Sequence, residues 1–148
     1  MVKMRDIIIR EVEPSDYEDI YELNCLLGYE YPKDKTKQRI LHILINTKDT
    51  ALVAVLNREI VGYIHGSPYE VLYSDSFMDV LGLAVKEKFK GVGIGYLLLN
   101  RLENVAKERT FRGIRLVTGY NRVLAHKFYE RQGYVNRKDQ KNYCKIFD

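Results

Sequence analysis

The sequence predicts an α/β fold: a sheet of mixed strand direction with helices on both faces. Three observations carry this. β-rich and helix-period runs alternate through the second half of the chain. Two β-rich runs in the middle are separated only by a short polar turn, and a glycine-rich corner joins an apolar run to an amphipathic one. With 148 residues, no repeats and no Pro/Gly/Ser-rich linker, the chain reads as a single domain, 1–148.

The elements follow in order. "DIIIREVE" is a first strand. Ser15 followed by Glu18 has capping-box spacing and predicts a helix over about 16–27, with Tyr17, Ile20, Leu23 and Leu27 on one face. "GYEYPKDK" ends it, since Gly28 and Pro32 both punctuate. A second helix over about 35–45 carries Ile40, Ile43 and Leu44. "TALVAVLNREIVGYIHGS" is a hairpin whose turn, around "NRE", lacks the usual glycine. "SFMDVLGLAVK" is apolar enough for a central strand. After the glycines a helix to about 109 turns Leu97, Leu98, Leu102 and Val105 inward. "GIRLVTG" is another strand, "RVLAHKFYERQ" another helix and "NYCKIF" a closing strand.

Composition narrows the function. Cys25 and Cys144 stand far apart with no ligand spacing around them, which fits a reducing, cytoplasmic setting and suggests neither a disulfide framework nor a metal site. The N-terminus has charges on both sides of only three isoleucines, unlike a signal peptide, and no apolar run reaches membrane-spanning length. The net charge of +4 is mild, with a basic cluster at "RVLAHKFYERQGYVNRKDQKNYCK". No aromatic-basic recognition signature accompanies it, so neither nucleic acid nor membrane is the expected partner.

The corner "KGVGIGY" carries the chemistry. Glycines between strand and helix permit left-handed turns and let another molecule touch the peptide groups. The first N–H groups of the helix lack internal partners and carry partial positive charge, so together they suit a phosphate. Lys88 and Lys90 flank the corner. A dinucleotide fingerprint needs G-x-G-x-x-G and a later acidic residue; the spacing here is G-x-G-x-G, and "GIRLVTG" ends without one. A nucleotide P-loop needs G-K-[ST], but Tyr96 follows Gly95.

With Lys90, Gly91, Gly93 and Gly95 on a [QR]-x-x-G-x-[GA] pattern, "LAVKEKFKGVGIGYLLL" resembles motif A of the GNAT superfamily of N-acetyltransferases. Lys90 stands where Arg or Gln is usual, keeping charge but not a planar fork. One strand later, "RVLAHKFYERQGYV" resembles motif B, A-x-x-[FL]-Y-E-x-x-G-[FY], through Ala125, Phe128, Tyr129, Glu130, Gly133 and Tyr134. The resemblance implies a mixed, mostly antiparallel sheet of about six to seven strands. It also implies acetyl-CoA as cofactor, its pyrophosphate on the backbone of Gly91, Val92, Gly93, Gly95 and Tyr96. The pantetheine arm would lie along Leu83, Ala84 and Val85, beside a strand distortion that Gly82 favours. Arg122 stands where many members of the family have an Asn that contacts the cofactor, and could instead pair with a phosphate. Homodimers are common in the family.

Acetyl transfer to an amine needs a base for the ammonium proton, a polarised carbonyl and an acid for the leaving thiolate, but no enzyme nucleophile. Tyr129 is the acid the resemblance implies. Asp79 is the candidate base, sharing strand parity with Leu81, Leu83 and Val85. His65 could face the acceptor, and water could also serve as base. His126, beside Ala125, reads as helix packing. By analogy the acceptor pocket lies between the first two helices and the segment "GSPYEVLYSDS", with Tyr29, Tyr31, Tyr69 and Tyr73 as lining candidates. The expected acceptor is a small primary amine such as an aminoglycoside, polyamine or amino acid, rather than protein. The rival reading is a non-catalytic acyl-CoA sensor.

Overall fold

The structure, a computed structural model, describes residues 2–148 and contains two units. One ends at Val117 and the other is Thr118–Asp148. In the first, β1 (Ile7–Glu11), β2 (Thr50–Leu56), β3 (Glu59–Tyr69), β4 (Phe77–Val85) and β5 (Ile114–Leu116) form one sheet in sequence order. The first three pairings are antiparallel and β4–β5 is parallel. The fold class stands, but with five strands among the described residues rather than six to seven.

The helices α1 (Tyr17–Leu26), α2 (Lys33–Asn46) and α3 (Ile94–Glu108) cover the sheet. Alternate residues of β3 show which face each takes. The Tyr63 hydroxyl donates to Asn24 Oδ1 of α1 at 2.6 Å, whereas a Cβ on Gly66 would meet Leu102 of α3 at 2.8 Å. On the α1/α2 face, Ile20, Leu23, Ile40, Val53 and Ala84 form one buried cluster. On the other, α3 buries Ile94, Leu98, Leu99, Leu102 and Ala106. Leu97 and Val105, expected inward, are only half-buried, and Leu44 is exposed.

Local chemistry explains most boundaries. The β2–β3 turn places Asn57 and Arg58 at φ 50° and 67°, the primed geometry that suits hairpin twist, reached here without glycine. The capping box falls earlier than expected. It joins Glu13 and Asp16 around the single turn Pro14–Asp16, rather than Ser15 and Glu18. Pro14 pre-sets that turn, and Asp16 is fixed from both sides. It accepts the Glu13 amide at 2.8 Å and two Arg10 guanidinium bonds at 2.8 and 2.9 Å.

Burial alone would push the Asp16 carboxyl up, but Arg10 and the Glu13 amide outweigh it and hold it below its usual range. A lowered carboxyl pKa gives stability that is full above the unfolded value and is lost as pH falls through the folded one. Asp16→Ala should therefore cost about 2 kcal/mol near neutral pH, less than a fully buried pair because the Arg10 side chain is 35 % exposed. Urea titrations at pH 7 and at acid pH check this; the deficit should shrink on acidification.

The second unit contains α4 (Val123–Arg131) and no strand. "NYCKIF" is not the expected closing strand. Its large apolar residues Tyr143, Ile146 and Phe147 do not alternate at period two, and all are exposed. Among the described residues, no helix is long and apolar enough to cross a membrane.

Candidate active site

The corner after β4 begins the site. Gly91 and Gly93 adopt left-handed φ of 86° and 94°, where an L side chain would cost about 1–2 kcal/mol. The first helical bond of α3 runs from the Leu97 N–H to the Gly93 carbonyl at 3.0 Å, and no side chain caps Gly93. Among the described residues, no protein acceptor meets the amides of residues 91–96. A Cβ on Gly91 would touch nothing within 4 Å, and the first turn of α3 has no acidic residue. Free donors, an open approach and the positive end of a 15-residue helix fit a diphosphate. Lys90 pairs with Glu87 at 3.0 Å and Lys88 with Glu59 at 3.6 Å. The attraction therefore comes mainly from the backbone, since both lysines are exposed and shared with carboxylates.

β4 leads into this corner with one edge bare. It pairs with β5 only from Met78 to Val80, then continues to Val85 with β3 alone. Leu83, Ala84 and Val85 lie on this one-sided stretch, whose peptide groups can take an extended partner as another strand would. The step coincides with a bulge. His65 pairs with Gly82 and Gly66 with Val80, so Leu81 has no opposite residue and stands 55 % exposed.

The bulge corrects the expected parity. One extra residue swaps faces, so Asp79 does not share a side with Leu83 and Val85. It pairs in register with Ser67 and lies on the face of His65, Gly82 and Ala84. A Cβ on Gly82 would meet the Tyr63 hydroxyl at 3.3 Å, which ties this face to α1.

Two polar clusters occupy that face. Asp79 accepts from Arg115 of β5 at 3.1 Å, and the Arg115 guanidinium lies 3.9 Å from the Tyr69 ring centre. Burial pushes the Asp79 carboxyl above its usual range, with Arg115 opposing. His65 Nε2 is 2.8 Å from Asp49 Oδ2, and the Ser67 hydroxyl donates to Asp49 Oδ1 at 2.7 Å. Arg115, Asp49 and Ser67 were not found from sequence. Their signal is cross-strand register, which appears only once the strands are paired.

Beside these clusters a cavity of about 490 Å³ lies between α1, α2, β2 and β3. Tyr29, Tyr31 and His65 line it, joined by Tyr63, Asn24 and Arg39. Burial, with Tyr29 nearby, pushes the Tyr63 phenol up to about 12, so it remains a neutral donor. Tyr73 lies outside the lining; it is 81 % exposed, its hydroxyl 3.4 Å from that of Tyr69. Cys25 and Cys144 are free and exposed, and no metal-holding group of His, Cys, Asp and Glu occurs among the described residues.

In the second unit, the Tyr129 ring packs edge-on against Phe128 and Tyr134, with centres 5.2 and 5.8 Å apart. Burial raises its phenol above the usual tyrosine range, and the Arg122 charge opposes this. Arg122 is the residue before α4, and His126 Nε2 lies 2.9 Å from the Gly119 carbonyl.

Comparison with known proteins identifies the family. The profile of the Acetyltransferase (GNAT) family matches residues 17–134. An uncharacterized N-acetyltransferase of Methanocaldococcus jannaschii is 30% identical over 138 residues, covering 88% of this chain and 72% of the relative. N-acetylaspartate synthetase of Rattus norvegicus is 32% identical over 82 residues, which is 55% of this chain but 26% of that enzyme. Among solved structures, aminoglycoside N-acetyltransferase AAC(6')-Iy in complex with CoA superposes with a TM-score of 0.83. It shares 17% identity over 94% of each chain, a likeness of fold. The chain belongs to the acetyltransferase (GNAT) family.

Proposed function

We propose that this chain, acting as one catalytic domain over 1–148, transfers an acetyl group from acetyl-CoA to a primary amine of a small molecule by direct attack. The observation that carries this reading is the continuity of the free amides of residues 91–96 with the bare β4 edge, which ends at a bulge beside Asp79 and His65. Bound acetyl-CoA supplies the acyl group and a thiolate leaving group. The amides of Gly91, Val92, Gly93, Gly95 and Tyr96 hold its diphosphate, with Lys90 and Arg122 adding charge. The peptide groups of Leu83, Ala84 and Val85 hold its amide-bearing arm.

Asp79 takes the proton of the acceptor ammonium, directly or through water. Its raised pKa suits it to accept a proton near neutral pH better than an ordinary surface carboxylate. Tyr129 supplies a proton to the leaving sulfur, a role supported by its motif position and by burial that keeps the phenol protonated.

Thiol release from acetyl-CoA measured across a panel of amines tests the reading. Amine-dependent release is expected; tight coenzyme A binding without turnover on any amine would instead indicate a sensor. Tyr129→Phe should lower kcat by about 100-fold with little change in coenzyme A affinity. Undiminished turnover would remove Tyr129 as the acid.

A further inference from the structure

We propose that the cavity between α1, α2, β2 and β3 selects a monoamine with an apolar or aromatic body and a single carboxylate, and that Arg39 binds the carboxylate. An amino acid with an apolar or aromatic side chain is the simplest member of this class. The inference rests on the acetyltransferase reading and names the acceptor for that site.

Size comes first. A cavity of about 490 Å³ suits one small organic molecule. Its walls are then decisive. Ile40, Ile43, Ala51 and the rings of Tyr29, Tyr31 and Tyr63 make it mostly apolar and aromatic. No carboxylate lines it among the described residues. Asp49, behind the wall, is already shared between His65 and Ser67. A polyamine or aminoglycoside would bring several ammonium groups with no counter-charge to receive them, and unpaired charge in such surroundings is costly.

Among the described residues, Arg39 is the one permanent charge in the lining. It follows Thr36 by three residues and precedes Ile43 by four, so all three lie along the side of α2 that borders the cavity, with Thr36 buried and Arg39 exposed. Thr36 spends its hydroxyl on the Pro32 carbonyl at 2.9 Å. Arg39 has no hydrogen-bond or ion-pair partner among the described residues, while Arg10, Arg109 and Arg115 all do. A guanidinium left free beside an apolar cavity matches a carboxylate by its planar fork. At the sheet side, His65 lines the cavity and pairs with Gly82 next to the bulge, so an amine there would lie on the face of the sheet that also carries Asp79.

The test uses matched amines: phenylalanine, its decarboxylated analogue phenethylamine, and spermidine. Thiol release gives KM and kcat, and calorimetry without acetyl donor gives binding. Phenylalanine should be preferred to phenethylamine by about tenfold or more in kcat/KM, the size of one charge-assisted hydrogen bond, with the difference in KM. Arg39→Gln should bring that ratio close to one, and Arg39→Lys should restore part of it. If no amine is acetylated but phenylalanine binds in an Arg39-dependent way, the ligand selectivity of the cavity stands and acetyl transfer to that ligand falls. Preference for spermidine or phenethylamine, no binding of phenylalanine, or a ratio unchanged in Arg39→Gln would overturn it.

Discussion

Gly93→Val is expected to weaken coenzyme A binding by at least about 100-fold, as read by calorimetry, while the circular dichroism spectrum and cooperative unfolding persist. The reason lies in the backbone rather than in crowding. At φ 94° a β-branched residue is strongly disfavoured, yet the nearest atoms its Cβ would meet belong to the Met4 side chain, at an ordinary 3.4 Å. The chain must leave the left-handed region, and the amides of residues 91–96 then lose their common orientation. Losing two charge-assisted hydrogen bonds to a diphosphate is enough for a 100-fold effect. The strain, about 1–2 kcal/mol, is small against the 5–15 kcal/mol of an ordinary fold. Wild-type affinity in this variant would mean that the corner does not hold the cofactor.

Asp79→Asn is expected to lower kcat by about 100-fold or more without changing coenzyme A affinity. Asparagine keeps the shape and can still accept from Arg115, so the β4–β5 contact survives while the proton acceptor is lost. The pH dependence provides a second check. Burial raises the Asp79 pKa despite Arg115, so the wild-type enzyme should lose activity on acidification at a higher pH than an ordinary carboxylate allows. The same shift has a stability sign. With its folded value raised, this carboxyl favours the native state at low pH, and that contribution is lost as pH rises through the folded pKa. If Asp79→Asn keeps full activity and His65→Gln loses it, the base is His65, held by Asp49.

What could be seen in the sequence was what depends on near neighbours. The glycine corner, the helix after it and the central hairpin are set by local φ requirements and by period, and the structure places them close to where the residues put them. Asn57 and Arg58 make the hairpin turn without glycine, so its weaker signal still pointed correctly. Features that require two distant segments were not legible. Nothing near Leu81 marks it as the extra residue; the bulge exists because β3 and β4 pair in two registers around it. That single residue moved Asp79 to the other face. Its partner Arg115 lies on a strand of three residues, shorter than "GIRLVTG" suggested. Likewise Asp16 is fixed by Arg10 from the preceding strand, and so the capping box formed around Glu13 rather than Ser15. The candidate cofactor corner was readable as a motif. The cavity was readable only in part: Tyr29, Tyr31 and His65 were named from the sequence, whereas Arg39, Tyr63 and Asn24, which come from three separate elements, were not.

The most direct measurement is an amide-resolved titration of the isotope-labelled protein with coenzyme A, followed by nuclear magnetic resonance. Shifts should be largest at the N–H groups of residues 91–96 and continue along residues 83–85, while the outer strand β1 stays quiet. Saturable binding that leaves residues 91–96 unmoved would contradict the assignment of the diphosphate to this helix start.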